Sequence, residues 1–220
     1  MSRLVELNHV IEAGMITYQG LPAPVICDFL SRPESRAIYA PGTEFQIGRI
    51  DMAGNTGTYL DTPFHRYADG ADLADTPLES VTARPGLVVR AQGTAIDVDV
   101  FAGLDIAGHA VLVHTGWDRH WRTDAYFSGH PFLTRRAAEF LRDAGAALVG
   151  IDSLNIDDTT DGTRPVHTIL LGAGIPICEH LTNLAALPDD GFTFNAPPPR
   201  VRGMGTFPVR AHAILGAGAS

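Results

Sequence analysis

Two cysteines, Cys27 and Cys178, are all that the 220-residue chain contains, which excludes a disulfide framework and any zinc knuckle built on paired cysteines. Both are expected to be buried thiols. Positive charge is scarce as well. Sixteen lysines plus arginines face 25 aspartates plus glutamates, and a net charge of −9 offers no field to a nucleic-acid backbone or an anionic membrane. No apolar run approaches the length of a membrane span, and Glu6 and Glu12 interrupt the N-terminal stretch where a signal peptide needs continuous apolar residues. A cytoplasmic location is the expectation. Also missing are a Gly-x-Ser-x-Gly elbow, a His-Glu-x-x-His pair, a phosphate-binding loop and a Cys-x-x-Cys motif, so the familiar signatures of serine hydrolases, zincins, nucleotide-binding enzymes and thiol oxidoreductases are absent.

What is present is the composition of a globular protein, with 45% hydrophobic residues and 19% charged. The length suits one domain spanning residues 1–220. Twenty-three glycines and 15 prolines are spread along the chain, as expected of many short elements joined by tight turns. Apolar, β-branched runs bounded by Gly, Pro, Asp or Asn predict strands over 45–52, 86–91, 110–115, 147–152, 192–195 and 209–215. One helix stands out over 134–144. There Ala137, Ala138, Leu141 and Ala144 share a face, Thr134 can cap the start and Gly145 can end it. A second, shorter helical segment is predicted near Asn183, ending at Pro188. A mixed β/α fold follows, with too few strand-to-helix alternations for a regular doubly wound sheet.

Two stretches could carry chemistry. Residues 54–65 place Asn55, Tyr59, Asp61 and His65 in a segment punctuated by glycine and proline. If Tyr59 to Asp61 is extended, Tyr59 and Asp61 share a face, and Pro63 turns the chain so that His65 can return toward Asp61. Such an Asp–His pair can orient a general base or bind a cation, although an arbitrary Asp-x-x-x-His is more often just a hydrogen-bonded turn. Residues 166–180 set His167 before an apolar run and Glu179 at the end of a short apolar segment. A buried carboxylate there needs a donor, a cation or a metal, whereas at a strand end facing water it needs nothing.

Taken together, these stretches resemble the bacterial cyclase family that includes kynurenine formamidase (arylformamidase) and isatin hydrolase. Its signature His-x-Gly-Thr-His-x-Asp-x-Pro-x-His is matched here by Asn55-Thr56-Gly57-Thr58-Tyr59-Leu60-Asp61-Thr62-Pro63-Phe64-His65. Further matching segments are Leu7-Asn8-His9 with Gly14-Met15, Leu112-Val113-His114-Thr115-Gly116-Trp117, Gly150-Ile151-Asp152, the His167 and Glu179 pair, and Phe207-Pro208-Val209-Arg210-Ala211. The resemblance implies the family's swivelling β/β/α fold, a homodimer or homotetramer, and hydrolysis of a non-peptide carbon–nitrogen bond as in tryptophan catabolism. It implies Asp61 as a metal-bridging carboxylate, His65 as proton shuttle, and His167 with Glu179 as ligands of a second metal position. The histidines that would complete the first position are replaced by Asn55 and Tyr59, which are weak ligands, so the expectation is at most one divalent metal, zinc or manganese, on Asp61, His167 and Glu179. Tyr59 would then donate to a developing oxyanion, Asn55 would position substrate or water, and Tyr18 and Phe64 would line a substrate pocket. Two further readings stay open: an acid/base cyclase, lactone hydrolase or dehydratase that works without metal, and a binding protein that has lost catalysis.

Overall fold

The computed structural model describes residues 2–216, and two single-turn helices, α1 (Arg32–Ser35) and α2 (Leu78–Val81), precede its longer ones. Its strands are β1 (Arg3–Glu6), β2 (Val25–Leu30), β3 (Ile47–Asp51), β4 (Tyr59–Asp61), β5 (Arg84–Arg90), β6 (Ala95–Ile96), β7 (Ala110–His114), β8 (Phe132–Leu133), β9 (Leu148–Ile151), β10 (Ile177–Glu179), β11 (Phe192–Asn195), β12 (Thr206–Pro208) and β13 (His212–Leu215). Nine of them form one mixed sheet in the order β1-β13-β11-β5-β7-β9-β10-β4-β12. The central four, β5, β7, β9 and β10, run parallel, and the flanking strands pair antiparallel. Continuous apolar runs suit this centre, because a strand covered on both faces has no solvent side on which to place polar residues.

Period-two alternation divides the sheet between two cores. Leu87, Val89, Val111, Val113, Val149 and Ile151 face one way, joined by Ala137, Ala138 and Leu141 of α3 (Arg135–Asp143) and Val166, Leu170 and Leu171 of α4 (Pro165–Gly172). Leu60, Val88, Ala110, Leu112, Leu148 and Cys178 face the other way, under Leu181, Leu184 and Phe194. Where Gly86 passes beneath the Phe192 ring, a β-carbon would lie 2.0 Å from the ring, so the sheet closes there only around glycine. The fold is mixed α/β, as expected.

The predicted helix over 134–144 is α3. The Thr134 hydroxyl accepts from Ala137 N, and Gly145 ends the helix at φ +79°. The segment after Asn183 makes only a short 3-10 turn over Leu184–Ala186. α4 was not predicted, because it is buried on most of its circumference and so carries little helical periodicity. The strand predicted over 209–215 is confined to β13, with Val209 to Ala211 non-regular. Cys178 is a buried thiol, but Cys27 is exposed on β2, because β2 and β3 form a separate two-stranded ribbon outside both cores.

Candidate active site

β4 is three residues long and lies between β10 and β12. Its pleat turns Leu60 into one core and sends Tyr59 and Asp61 to the opposite face. Antiparallel register then selects their partners. Glu179 is directly opposite Tyr59, and Thr206 is directly opposite Asp61. The Tyr59 hydroxyl donates to Glu179 Oε2 at 2.6 Å, and the Thr206 hydroxyl donates to Asp61 Oδ1. Pro63 opens a single 3-10 turn, Pro63–His65, that brings the His65 ring back over this pair. Its Nδ1 lies 2.8 Å from Thr206 Oγ1 and 3.9 Å from Asp61 Oδ1. Since Thr206 spends its hydrogen on Asp61, its oxygen accepts from His65 Nδ1–H, which leaves Nε2 as the acceptor nitrogen of the ring.

His167 arrives from α4. The Asp157 carboxylate receives the backbone N–H groups of Val166 and His167 at 2.7 and 3.0 Å, and also the His167 Nδ1–H at 2.6 Å. One carboxylate therefore caps the helix and fixes the ring, so that Nε2 points to Asp61 Oδ2 at 3.6 Å and Glu179 Oε1 at 3.8 Å. The rings of His65 and His167 stand 5.9 Å apart. A cavity of about 540 Å³ opens over the group, with Asn55, Tyr59, His65, His167, Glu179 and Tyr18 among its lining residues.

Burial sets the electrostatics. It opposes charge on His167, but the hydrogen bond to Asp157 and the nearby carboxylates of Asp61 and Glu179 outweigh it and carry the imidazole to about 10. Glu179 rises to about 7, driven by burial and the charge of Asp61 against the pull of His167 and its two donors. Tyr59 is pushed well above its ordinary value, first by burial and then by Glu179 and Asp61, so it stays a neutral phenol.

The donor set suits one divalent cation. Asp61, His65 and His167 each offer a ligand atom, all within 4.8 Å of one another. Asp61 Oδ2 is buried and has no hydrogen-bond partner, as expected of an oxygen kept for a cation. Its 3.6 Å separation from His167 Nε2 is close to the ~3.4 Å between two donors on one tetrahedral ion. A second ion does not fit at Asn55 and Tyr59: the phenol is neutral and its hydrogen is already given to Glu179.

The tightest set of donor atoms is Asp61, His65 and His167, and Glu179 Oε1 lies beside it, 3.8 Å from His167 Nε2. Each Glu179 oxygen accepts one hydrogen bond, Oε2 from Tyr59 and Oε1 from Ile156 N at 2.6 Å, and keeps a further lone pair. Two sequence expectations change against this geometry. Tyr59 is not free to donate to an oxyanion, since Glu179 holds its hydrogen. Phe64 does not line the cavity, because successive residues of a 3-10 turn point about 120° apart and it is His65 that faces inward. Thr206, Asp157, Arg66 and Arg164 were missed. The Phe207–Ala211 match ended one residue short of Thr206, and nothing in the spacing of Asp157 from His167 marks them as partners.

The Cyclase family ("Putative cyclase") matches residues 5–158, a span that holds β4 and the turn bearing His65. The chain belongs to the cyclase family. The kynurenine formamidase of Geobacillus thermodenitrificans (strain NG80-2) is 30% identical over 167 residues, covering 75% of this chain and 78% of the relative. A solved structure described as a potential metal-dependent hydrolase with cyclase activity superposes at TM-score 0.80 with 27% identity, covering 99% of this chain and all of that one. Isatin hydrolase A from Labrenzia aggregata, bound to benzyl benzoate, shares the fold at TM-score 0.83 with 20% identity, covering 98% of this chain and 94% of the other. These similarities support an arylformamidase-like hydrolase of the cyclase family.

Proposed function

We propose that this cyclase-family chain hydrolyses an amide-type carbon–nitrogen bond outside peptides, in a small carbonyl compound of the formamide class. The observation that carries the reading is the Thr206 bridge, which links His65 Nδ1 to buried Asp61 and leaves His65 Nε2 as a base beside the cavity. Asp61 and His167, the two buried members of the donor set, would hold one divalent cation, zinc or manganese. Bound there, the cation supplies a polarised carbonyl and a more acidic water. His65, the exposed member, takes the proton of the attacking water at Nε2 and returns it to the leaving amine. Asn55, half-buried on the cavity wall, donates its amide hydrogen to the carbonyl oxygen. Tyr59 and Ile156 hold Glu179 as a fixed, hydrogen-bonded wall.

The same bridge also supports a second reading, acid/base catalysis without metal. Elemental analysis of protein purified without an affinity metal, paired with formanilide hydrolysis before and after chelation, separates the two. The expected result is about one ion per chain, with activity lost on chelation, restored by zinc or manganese, and absent together with the ion in Asp61→Ala and His167→Ala. Full turnover after exhaustive chelation transfers the assignment to the metal-free reading. If metal-loaded protein hydrolyses no formamide, lactam or lactone, the hydrolase reading fails.

A further inference from the structure

Two arginines, Arg66 and Arg164, line the same cavity as His65 and His167. Each guanidinium carries five donors, and among the described residues neither makes an ion pair. Arg66 gives one hydrogen bond to Thr168 Oγ1 at 3.2 Å, and Arg164 gives one to the Asp158 carbonyl at 2.9 Å. Arg164 sits beside the Tyr18 hydroxyl, also on the cavity wall, and its backbone is left-handed at φ +46° and ψ +62°. That conformation is costly for a residue with a β-carbon and persists where the surroundings impose it. The α4 N-terminus that follows is already closed by Asp157, so it is the side chain that is left to meet a ligand.

We propose that the substrate of this site carries a carboxylate, bound by Arg164 with Arg66 on the outer wall of the cavity. Charge fixes its orientation. On the buried floor the charges of Asp61 and Glu179 are balanced by the cation, whereas the two guanidiniums lining the cavity are left without a counter-charge and draw the anion to themselves. The opposite end of the molecule, bearing the scissile bond, is thereby directed to His65 and His167. A planar monoanion matches the guanidinium fork, and the cavity of about 540 Å³ accepts one substituted ring. The inference rests on the hydrolase reading only for the direction of the scissile bond.

The test compares probes that differ in charge. Binding of benzoate and benzamide by calorimetry, and hydrolysis of 2-formamidobenzoate and formanilide, are measured on metal-loaded wild type, Arg164→Gln, Arg164→Lys and Arg66→Gln. Wild type should favour the anion by about tenfold in both assays, the size of one charge-assisted hydrogen bond. That preference should shrink to within about threefold in Arg164→Gln and be only partly retained in Arg164→Lys, which keeps charge without the fork. Equal handling of charged and neutral probes by wild type overturns the proposal while leaving the hydrolase reading intact. An arginine-dependent preference for benzoate with no hydrolysis of either formamide supports the proposal and removes the formamide class from the hydrolase reading. A preference unchanged in both glutamine variants overturns it.

Discussion

At the residue scale, the cost and use of the site concentrate on Thr206. Its hydroxyl satisfies one oxygen of buried Asp61 and the Nδ1 of His65 together. Thr206→Val keeps the shape and removes both bonds. We expect kcat to fall by roughly 10- to 100-fold with KM little changed, and stability to fall by about 1–3 kcal/mol, since a buried carboxylate oxygen loses its donor. Thr206→Ser should restore most of both. Paired kinetics and denaturant titration check this, and a valine variant with native kcat would remove Thr206 from the proton path. Residues of this kind are hard to read in a sequence. Asp61 and His65 are close in the chain, and their motif matched a family, but Thr206 lies 141 residues from His65 and becomes its partner only through strand register. Asn55 and Tyr59 were legible as departures. The engagement of Tyr59 by Glu179, which changes its role, depends on β10 being the neighbour of β4.

Elements read from local pattern were recovered where pattern and environment agree. α3 has one buried face and a capping threonine, and β5, β7 and β9 are apolar runs between turn residues. α4, β4 and β12 were not read as elements from period, because a nearly all-buried helix and three-residue strands carry too few positions to show one. The junction of β12 with the Pro63–His65 turn depends on glycine. A β-carbon on Gly205 would stand 2.3 Å from His65 N, while Gly205 O accepts from Thr62 N at 2.8 Å. Both sides of this contact are backbone, so neither can rotate away. Gly205→Ala should therefore shift the turn, displace the His65 ring from Thr206 and reduce turnover by an order of magnitude or more, with a stability loss of about 1–3 kcal/mol from overpacking. Activity and thermal unfolding of the variant test this; native turnover would show that the turn can move without carrying His65 off its bridge.

At the scale of the whole molecule, the β2–β3 ribbon stands apart from both cores. Val25, Ile26, Phe29, Ile38, Phe45, Ile47 and Ile50 are all exposed, and all fall within or between these two strands. An isolated two-stranded ribbon is marginal in water, and exposed apolar side chains concentrated on one segment are the kind that a partner covers. We expect a homo-oligomer in which the ribbon is covered by another copy of the chain. Light scattering after size exclusion should give at least twice the 23.5 kDa chain mass, and Phe29→Glu should lower it toward one chain. A wild-type monomer at micromolar concentration would reject this assembly.

The position of β4 also has a consequence for the time course of folding. Its hydrogen-bonded neighbours are 120 and 145 residues further along the chain at their aligned positions, Glu179 opposite Tyr59 and Thr206 opposite Asp61. Contacts so distant must close large loops before they return any free energy, which makes them slow to form. Asp61 can meet His65, His167 and Thr206 in one place only after the helix and both neighbouring strands have come in. Catalytic competence is thus the last property the chain acquires as it folds, and the first it should lose when the sheet edge loosens.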